Sequence, residues 1–387
     1  MTIQSIVGNA ISDNIIPGAI IKIVQGEETI LFDSQGYQDI EKQLPLMPNT
    51  LFRIYSMTKP ITAVALMMLV EQGLLKLDDA VADYLPAFKD MQVHTASGLV
   101  QASTPISIRH LLTHSAGLTY SMMQDNPYVS SLYAKQGVNE IYSRLCCDLE
   151  THVNKLARLP LISQPGTVYR YSESLSVIAR LIEVLSGLSY REFLIERIFK
   201  PLNMSDTDFY TPPEKIHRLA TLYEQDKSAK GFKQSTAYGG DYSQPALLEA
   251  GGVGLVSTVD DYLQFAQMLL NKGAYCGQRL LTQESISEIM SDQYTGDALQ
   301  KIPQSAELSN CGMGHGFAGT VVVNPKLRNV MGSVGEYAWL GWASTFFWVD
   351  PVKKIIGVFM TQLITKPDAT LSLGQDIRRE VYSNIGI

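Results

Sequence analysis

Ser56-Met57-Thr58-Lys59 places an alcohol and an amine three residues apart, just ahead of an apolar run from Ile61 to Val70. In a helix, residues three apart are neighbours with Cβ atoms roughly 5–6 Å apart, so the Lys59 amine reaches the Ser56 hydroxyl. With Ser56 as the N-cap, its hydroxyl also lies near unpaired N–H groups and the positive end of the helix dipole, which favour an alkoxide or oxyanion. That is the arrangement of a serine nucleophile with an amine as its proton-handling partner. A lysine base has to be uncharged, and a reference pKa of about 10.4 leaves only about one in a few thousand neutral at pH 7. Closing that gap takes roughly 3 units, or about 4 kcal/mol, which burial can supply. The same four residues also read as an N-cap serine followed by a solvated lysine. Spacing alone leaves both readings open.

Three further segments carry chemical side chains. Pro165-Gly166-Thr167-Val168-Tyr169-Arg170-Tyr171-Ser172 precedes an amphipathic pattern with Leu175, Ile178, Ile182 and Leu185. A tyrosine on such a turn can share protons with Ser56 and Lys59, or both tyrosines can pack beneath a loop. The segment Tyr337-Ala338-Trp339-Leu340-Gly341-Trp342-Ala343-Ser344-Thr345 reads as a strand with a glycine among bulky residues. Glycine in a strand marks close approach of a backbone or ligand. Here it would let an edge N–H face an acyl carbonyl, or it belongs to an aromatic core strand. His114-Ser115 lacks the G-x-S-x-G elbow, with Thr113 where the first glycine would stand, and reads as a structural helix end.

The elements that must position these residues follow from periodicity. Ala19–Val24 and Thr29–Phe32 predict a β-hairpin. A helix is predicted from about Ser56 to Gln72, stopped by Gly73, and its middle is apolar nearly all round, which belongs inside a domain. Further helices are expected at 108–113, at 174–186 before Gly187, at 260–270 and at 373–382. Strands are expected at 320–323, 343–349 and 354–362. Strands at both ends around a helical middle predict an α+β fold whose sheet draws on the two termini.

Composition bounds the rest. The chain has 387 residues, 45% hydrophobic and 18% charged, enough for a sizeable core. A net charge of -7 without a basic block argues against nucleic acid or an anionic membrane as partner. Cys146, Cys147, Cys276 and Cys311 form neither a zinc pattern nor a disulfide framework. The N-terminal segment has no basic, apolar and cleavage-site succession, and 61–70 is too short to span a bilayer, so a cytoplasmic location is expected.

Asn49-Thr50-Leu51-Phe52-Arg53-Ile54-Tyr55-Ser56-Met57-Thr58-Lys59 resembles the serine β-lactamase-like superfamily. So do Leu111–Leu118, Tyr171-Ser172, Pro201–Met204, Gly251–Thr258 and Phe347–Pro351, in order across residues 16–363. Within it the chain looks most like class C β-lactamases, penicillin-binding carboxypeptidases and especially family VIII carboxylesterases. The resemblance implies a three-layer sandwich, a mainly antiparallel sheet flanked by helices, plus a mostly helical subdomain. Residues 1–77 with 290–387 would form the first and 78–289 the second, with the active site in the cleft between. It implies acylation of Ser56, proton exchange through Lys59 and Tyr171, and no metal or organic cofactor. The Ser56 and Trp342 N–H groups would form the oxyanion hole.

Two departures narrow the choice. Where the β-lactamases carry an asparagine two residues after the tyrosine, this chain has Glu173, which when ionised only accepts hydrogen bonds. Where they carry Lys-Thr-Gly, it has Trp339-Leu340-Gly341. A tryptophan in place of a cation suits a neutral ester better than an anionic lactam. Leu340 and Trp342 would narrow the pocket. The expectation is therefore a carboxylesterase for small, short-acyl esters, with Trp339, Gly341, Trp342 and Glu173 contacting substrate. The alternatives are a β-lactamase, a D-amino-acid peptidase, an acyltransferase or a non-catalytic ligand-binding homologue.

Overall fold

The computed structural model describes residues 2–141, 144–226, 231–236, 240–294, 312–327, 332–365 and 367–384, the side chains of 367–371 excepted. Cys311 lies outside the described residues. Eight strands form one antiparallel sheet in the order Met313–His315, Thr320–Val322, Tyr337–Leu340, Phe346–Asp350, Ile355–Met360, Gly18–Gln25, Glu28–Asp39, Leu44–Pro45. The termini meet where Ile20 pairs with Met360 and Val24 with Ile356. Strands distant in sequence thus become central neighbours, and the helical middle is inserted between them.

Alternation along the strands sorts side chains into two layers, as a period of two requires. Ala19, Ile21, Ile23, Trp348 and Phe359 pack with Val7, Ala10, Leu373 and Ile377 of the terminal helices Ile3–Ser12 and Pro367–Asn384. Ile20, Phe347, Val349, Val358 and Met360 face the opposite way, into the large core with helices Thr58–Glu71 and Val259–Leu270. Helices, sheet and helices make the three layers expected. The N-terminal helix carries no motif and is an addition to the sequence reading.

Helix Thr58–Glu71 is buried from Thr58 through Leu69. Its apolar circumference is satisfied on one side by helix Ser174–Ser186 and on another by the Val253–Val259 region. Each fully buried large apolar side chain contributes about 1.5–3 kcal/mol, so the helix is anchored along its length. Its first turn is therefore a rigid platform.

The predicted strand over 337–345 is one strand followed by a turn. Tyr337–Leu340 stops at Gly341, the Gly341 N–H donates to Thr345 O at 2.7 Å, and the chain reverses through Ser344 at φ 63°. The strand expected at 343–349 accordingly runs over Phe346–Asp350. No helix among the described residues is long and apolar enough to cross a membrane.

Candidate active site

Ser56 lies in the 3-10 turn Tyr55–Met57 rather than at the helix N-cap, because helix Thr58–Glu71 begins two residues later. The turn is set by Tyr55, whose φ of 43° is left-handed. For a non-glycine residue that conformation costs about 1–3 kcal/mol and persists only where the surroundings over-determine it. Here Ile54 N–H is tied to Leu255 O at 3.0 Å and Met57 N–H to Ile54 O at 3.0 Å.

Lys59 stands in the first turn of the helix, fully buried, with Nζ 3.1 Å from Ser56 Oγ. Tyr171 Oη donates to the same Oγ at 2.7 Å. Ser56 and Tyr171 are half-buried, so the serine faces a crevice while the lysine is sealed beneath it. Lys59 Nζ also donates to Gly252 O at 2.7 Å and lies 4.9 Å from the Tyr171 ring centroid. The two tyrosines of the turn divide the two sequence readings. Tyr171 reaches Ser56, while Tyr169 is buried against His114, Tyr294 and His315.

The opposite wall comes from the sheet. Trp339 is buried with its ring 5.8 Å from Tyr171 and 5.6 Å from His315. Gly341 sits where an added Cβ would lie 2.3 Å from Ile54 O, so its missing side chain lets the end of the strand press against the serine-bearing turn. Trp342 is half-buried in the following turn, against the cluster of Tyr55, Leu222, Ala343 and Ile364.

Two expectations are corrected. Glu173 does not line the crevice. It is fully buried at the start of helix Ser174–Ser186, with Oε2 2.6 Å from His152 Nε2, because burial forces a carboxylate to find a partner. Leu340 does not narrow the pocket beside Trp339. Strand alternation turns it to the other face, where it is 46% exposed.

Sequence reasoning missed the charged groups beneath the serine. Glu140 is buried with Oε1 3.9 Å from Lys59 Nζ, and it accepts from Tyr120 Oη at 2.7 Å and from Ser176 Oγ. Glu140 sits in an unremarkable turn with no motif to mark it. His152 carried a signal, since it shares the apolar stripe of Leu149, Val153 and Leu156 on one helix. Burial alone would lower the His152 imidazole, but the Glu173 carboxylate overrides it and pushes the ring up to about 10. His315, equally buried but bonded through Nδ1 to Gly316 O at 2.6 Å, is pushed down to about 4 by burial. His114, which the sequence reads as structural, is buried with its ring 4.9 Å from Tyr171 and bonds Ser172 through Nδ1.

This arrangement can acylate and release. Ser56 Oγ has two proton-handling partners within hydrogen-bond distance, and the crevice above it is walled by aromatic rings. Among the described residues no cluster of three or more His, Cys, Asp or Glu could hold a metal ion.

Comparison with known proteins agrees with the geometry. The family model described as Beta-lactamase matches residues 3–375. An uncharacterized Mycobacterium tuberculosis protein is 31% identical over 90% of this chain and 86% of its own length. Esterase EstB of Burkholderia gladioli is 25% identical over the same shares, 90% and 86%. The solved structure of EstCE1, a hydrolase with promiscuous acyltransferase activity, superposes with a TM-score of 0.82 at 27% identity, covering 98% of this chain and 97% of that one. Relatives named as esterases and hydrolases support serine-hydrolase chemistry at this site. The eight-stranded antiparallel sheet, the Ser56–Lys59–Tyr171 cluster and the match over nearly the whole chain lead to one conclusion: this chain belongs to the beta-lactamase family.

Proposed function

We propose that this protein is a carboxylesterase that cleaves small, short-acyl esters through an acyl-enzyme on Ser56. The observation that carries the reading is the convergence of Tyr171 Oη at 2.7 Å and Lys59 Nζ at 3.1 Å on one serine oxygen, beneath a tryptophan wall instead of a cation. Ser56 Oγ gives its proton to the Lys59–Tyr171 pair and bonds to the ester carbonyl carbon. The C–O bond to the alcohol then breaks, and the alcohol leaves with that proton. Water adds to the acyl-enzyme, returns a proton to Ser56 and releases the acid. The N–H groups of Ser56 and Trp342 would receive the oxyanion. Trp339, Gly341 and Trp342 would shape the acyl site, and the bulk of Trp342 favours short chains.

The ester reading over a lactam or peptide reading is supported by Trp339, because an indole offers no counter-charge to a substrate carboxylate. Turnover of p-nitrophenyl butyrate is expected to exceed that of nitrocefin in kcat/KM, and the reverse order would sink the assignment. Ser56→Ala is expected to abolish labelling by a fluorophosphonate probe. Retained labelling at another residue would place the nucleophile elsewhere. A second reading, acyl transfer to an alcohol, is supported by the activity named for EstCE1. Partition of the butyryl group to added alcohol rather than water would select it.

A further inference from the structure

The charged groups under Ser56 do not match the simple picture of a buried, uncharged amine. Lys59 Nζ has around it the Gly252 carbonyl at 2.7 Å, Ser56 Oγ at 3.1 Å, the Glu140 carboxylate at 3.9 Å and the ring faces of Tyr171 and Tyr120 at 4.9 and 5.7 Å. All of these are electron-rich, which is the surrounding of an ammonium. Glu140 is buried too, and both its oxygens accept hydroxyl hydrogens, Oε1 from Tyr120 and Oε2 from Ser176. A hydroxyl on each oxygen is a surrounding that suits an ionised carboxylate.

The neighbouring carboxylate is already matched. Glu173 Oε2 lies 2.6 Å from His152 Nε2, so that pair shares one proton and carries no net charge. Glu140 and Lys59 are then left as each other's counter-charges in a region without solvent. Gly252 serves both. Its carbonyl takes the Lys59 N–H, and a Cβ on it would lie 2.2 Å from Glu140 Oε1. The glycine therefore leaves room for the carboxylate to approach the amine.

We propose that Glu140 is a positioning residue of this active site, the buried counter-charge that holds Lys59 as an ammonium against Ser56. In that state Lys59 steers Ser56 Oγ by donating a hydrogen bond and stabilises negative charge developing on it. Tyr171 Oη, 2.7 Å from Ser56 Oγ, is then the oxygen that takes the serine proton, after its own proton has passed to solvent in the crevice, and that later returns a proton to the leaving alcohol. The inference rests on Ser56, Lys59 and Tyr171 forming the active site, but its test does not depend on which ester is cleaved.

The test is a thermal-stability cycle on the full chain: wild type, Glu140→Gln, Lys59→Met and the double variant, at one pH near neutrality. Breaking a buried ion pair from one side leaves an uncompensated charge, and removing the second charge relieves it. Glu140→Gln is therefore expected to lower Tm when Lys59 is present and to raise it in the Lys59→Met background. An equal loss in both backgrounds would mean that Glu140 is only a hydrogen-bond acceptor, and would overturn the proposal. If Glu140→Gln alone does not fold, the double variant is still expected to melt above Lys59→Met, and failure to do so overturns it equally.

The rate of Ser56 labelling by a fluorophosphonate supplies the positioning readout. Glu140→Gln is expected to slow it at least about tenfold, less than the 10²–10⁴-fold typical of losing an acid–base group itself, and Glu140→Asp to recover most of that. Labelling unchanged in Glu140→Gln overturns the proposal. A wild type that labels and obeys the cycle but hydrolyses no ester sinks the esterase reading alone.

Discussion

Tyr171 stands between two buried regions that treat histidine in opposite ways. On the helical side His152 lies against Glu173 and is pushed up to about 10. On the aromatic side His315 is pushed down to about 4, and His114 falls well below its usual range for the same reason, burial, with His315 and Lys59 adding to it. Burial is complete on both sides, so burial does not explain the difference. The difference is the carboxylate. An imidazole sealed with one is pushed up, and an imidazole sealed among rings is pushed down. The helical side thus holds the His152–Glu173 pair and the sheet side an uncharged aromatic wall, and the aromatic wall is what the proposed neutral ester would meet.

Substitutions on either side test whether the two regions do different work. The largest effect belongs to the charged side: Lys59→Ala is expected to lower kcat on p-nitrophenyl butyrate by about 10²–10⁴-fold. A rate near that of wild type would remove the charged region from the chemistry altogether. Next, Glu173→Gln strips His152 of its partner and is expected to cost about 3 kcal/mol by urea unfolding at pH 7. The sign in pH follows from the raised imidazole. Its contribution to stability is complete below about pH 6.5 and is lost as pH rises toward 10, so the variant should show a flatter alkaline limb.

The aromatic side should show the mirror image. Because His315 is neutral in the folded state down to about pH 4, stability is complete above about pH 6.5 and is lost on acidification between those values. A displacement of that size corresponds to roughly 3–4 kcal/mol. His315→Gln should flatten that acid limb in part, since His114 contributes in the same direction, and should leave the alkaline limb alone. An effect on the alkaline limb would show that the two regions are coupled. The smallest effect is expected for Trp339→Phe. The indole N–H is buried without a hydrogen-bond partner, so exchanging it for a phenyl ring should shift stability by less than about 1 kcal/mol. A larger loss would reveal a polar role for the wall.

Much of this molecule was legible along the chain. The hairpin expected at 19–24 and 29–32, found over 18–25 and 28–39, follows from an apolar run broken by a turn, and helix Ser174–Ser186 from a period of 3.6 stopped at Gly187. The continuous apolarity of 61–70 predicts a helix buried on every side, and Ser56 and Lys59 can meet because local geometry brings residues three apart together. Where the reading slipped, it slipped at backbone turns. The strand expected across 337–345 folds back at Gly341, and Ser56 sits in a 3-10 turn, because left-handed Tyr55 and Ser344 are held by distant partners that no local propensity encodes.

Spacing and residue type offered an alcohol, an amine and a tyrosine as candidates, and the family resemblance chose among their readings. Only the tertiary structure decided what each faces. Glu140, far along the chain from Lys59, and Glu173, which the family resemblance placed at the substrate, were assigned their places by burial. A charge removed from water must be met by whichever opposite charge the packing brings near, and that choice depends on three-dimensional proximity, which a linear pattern does not contain.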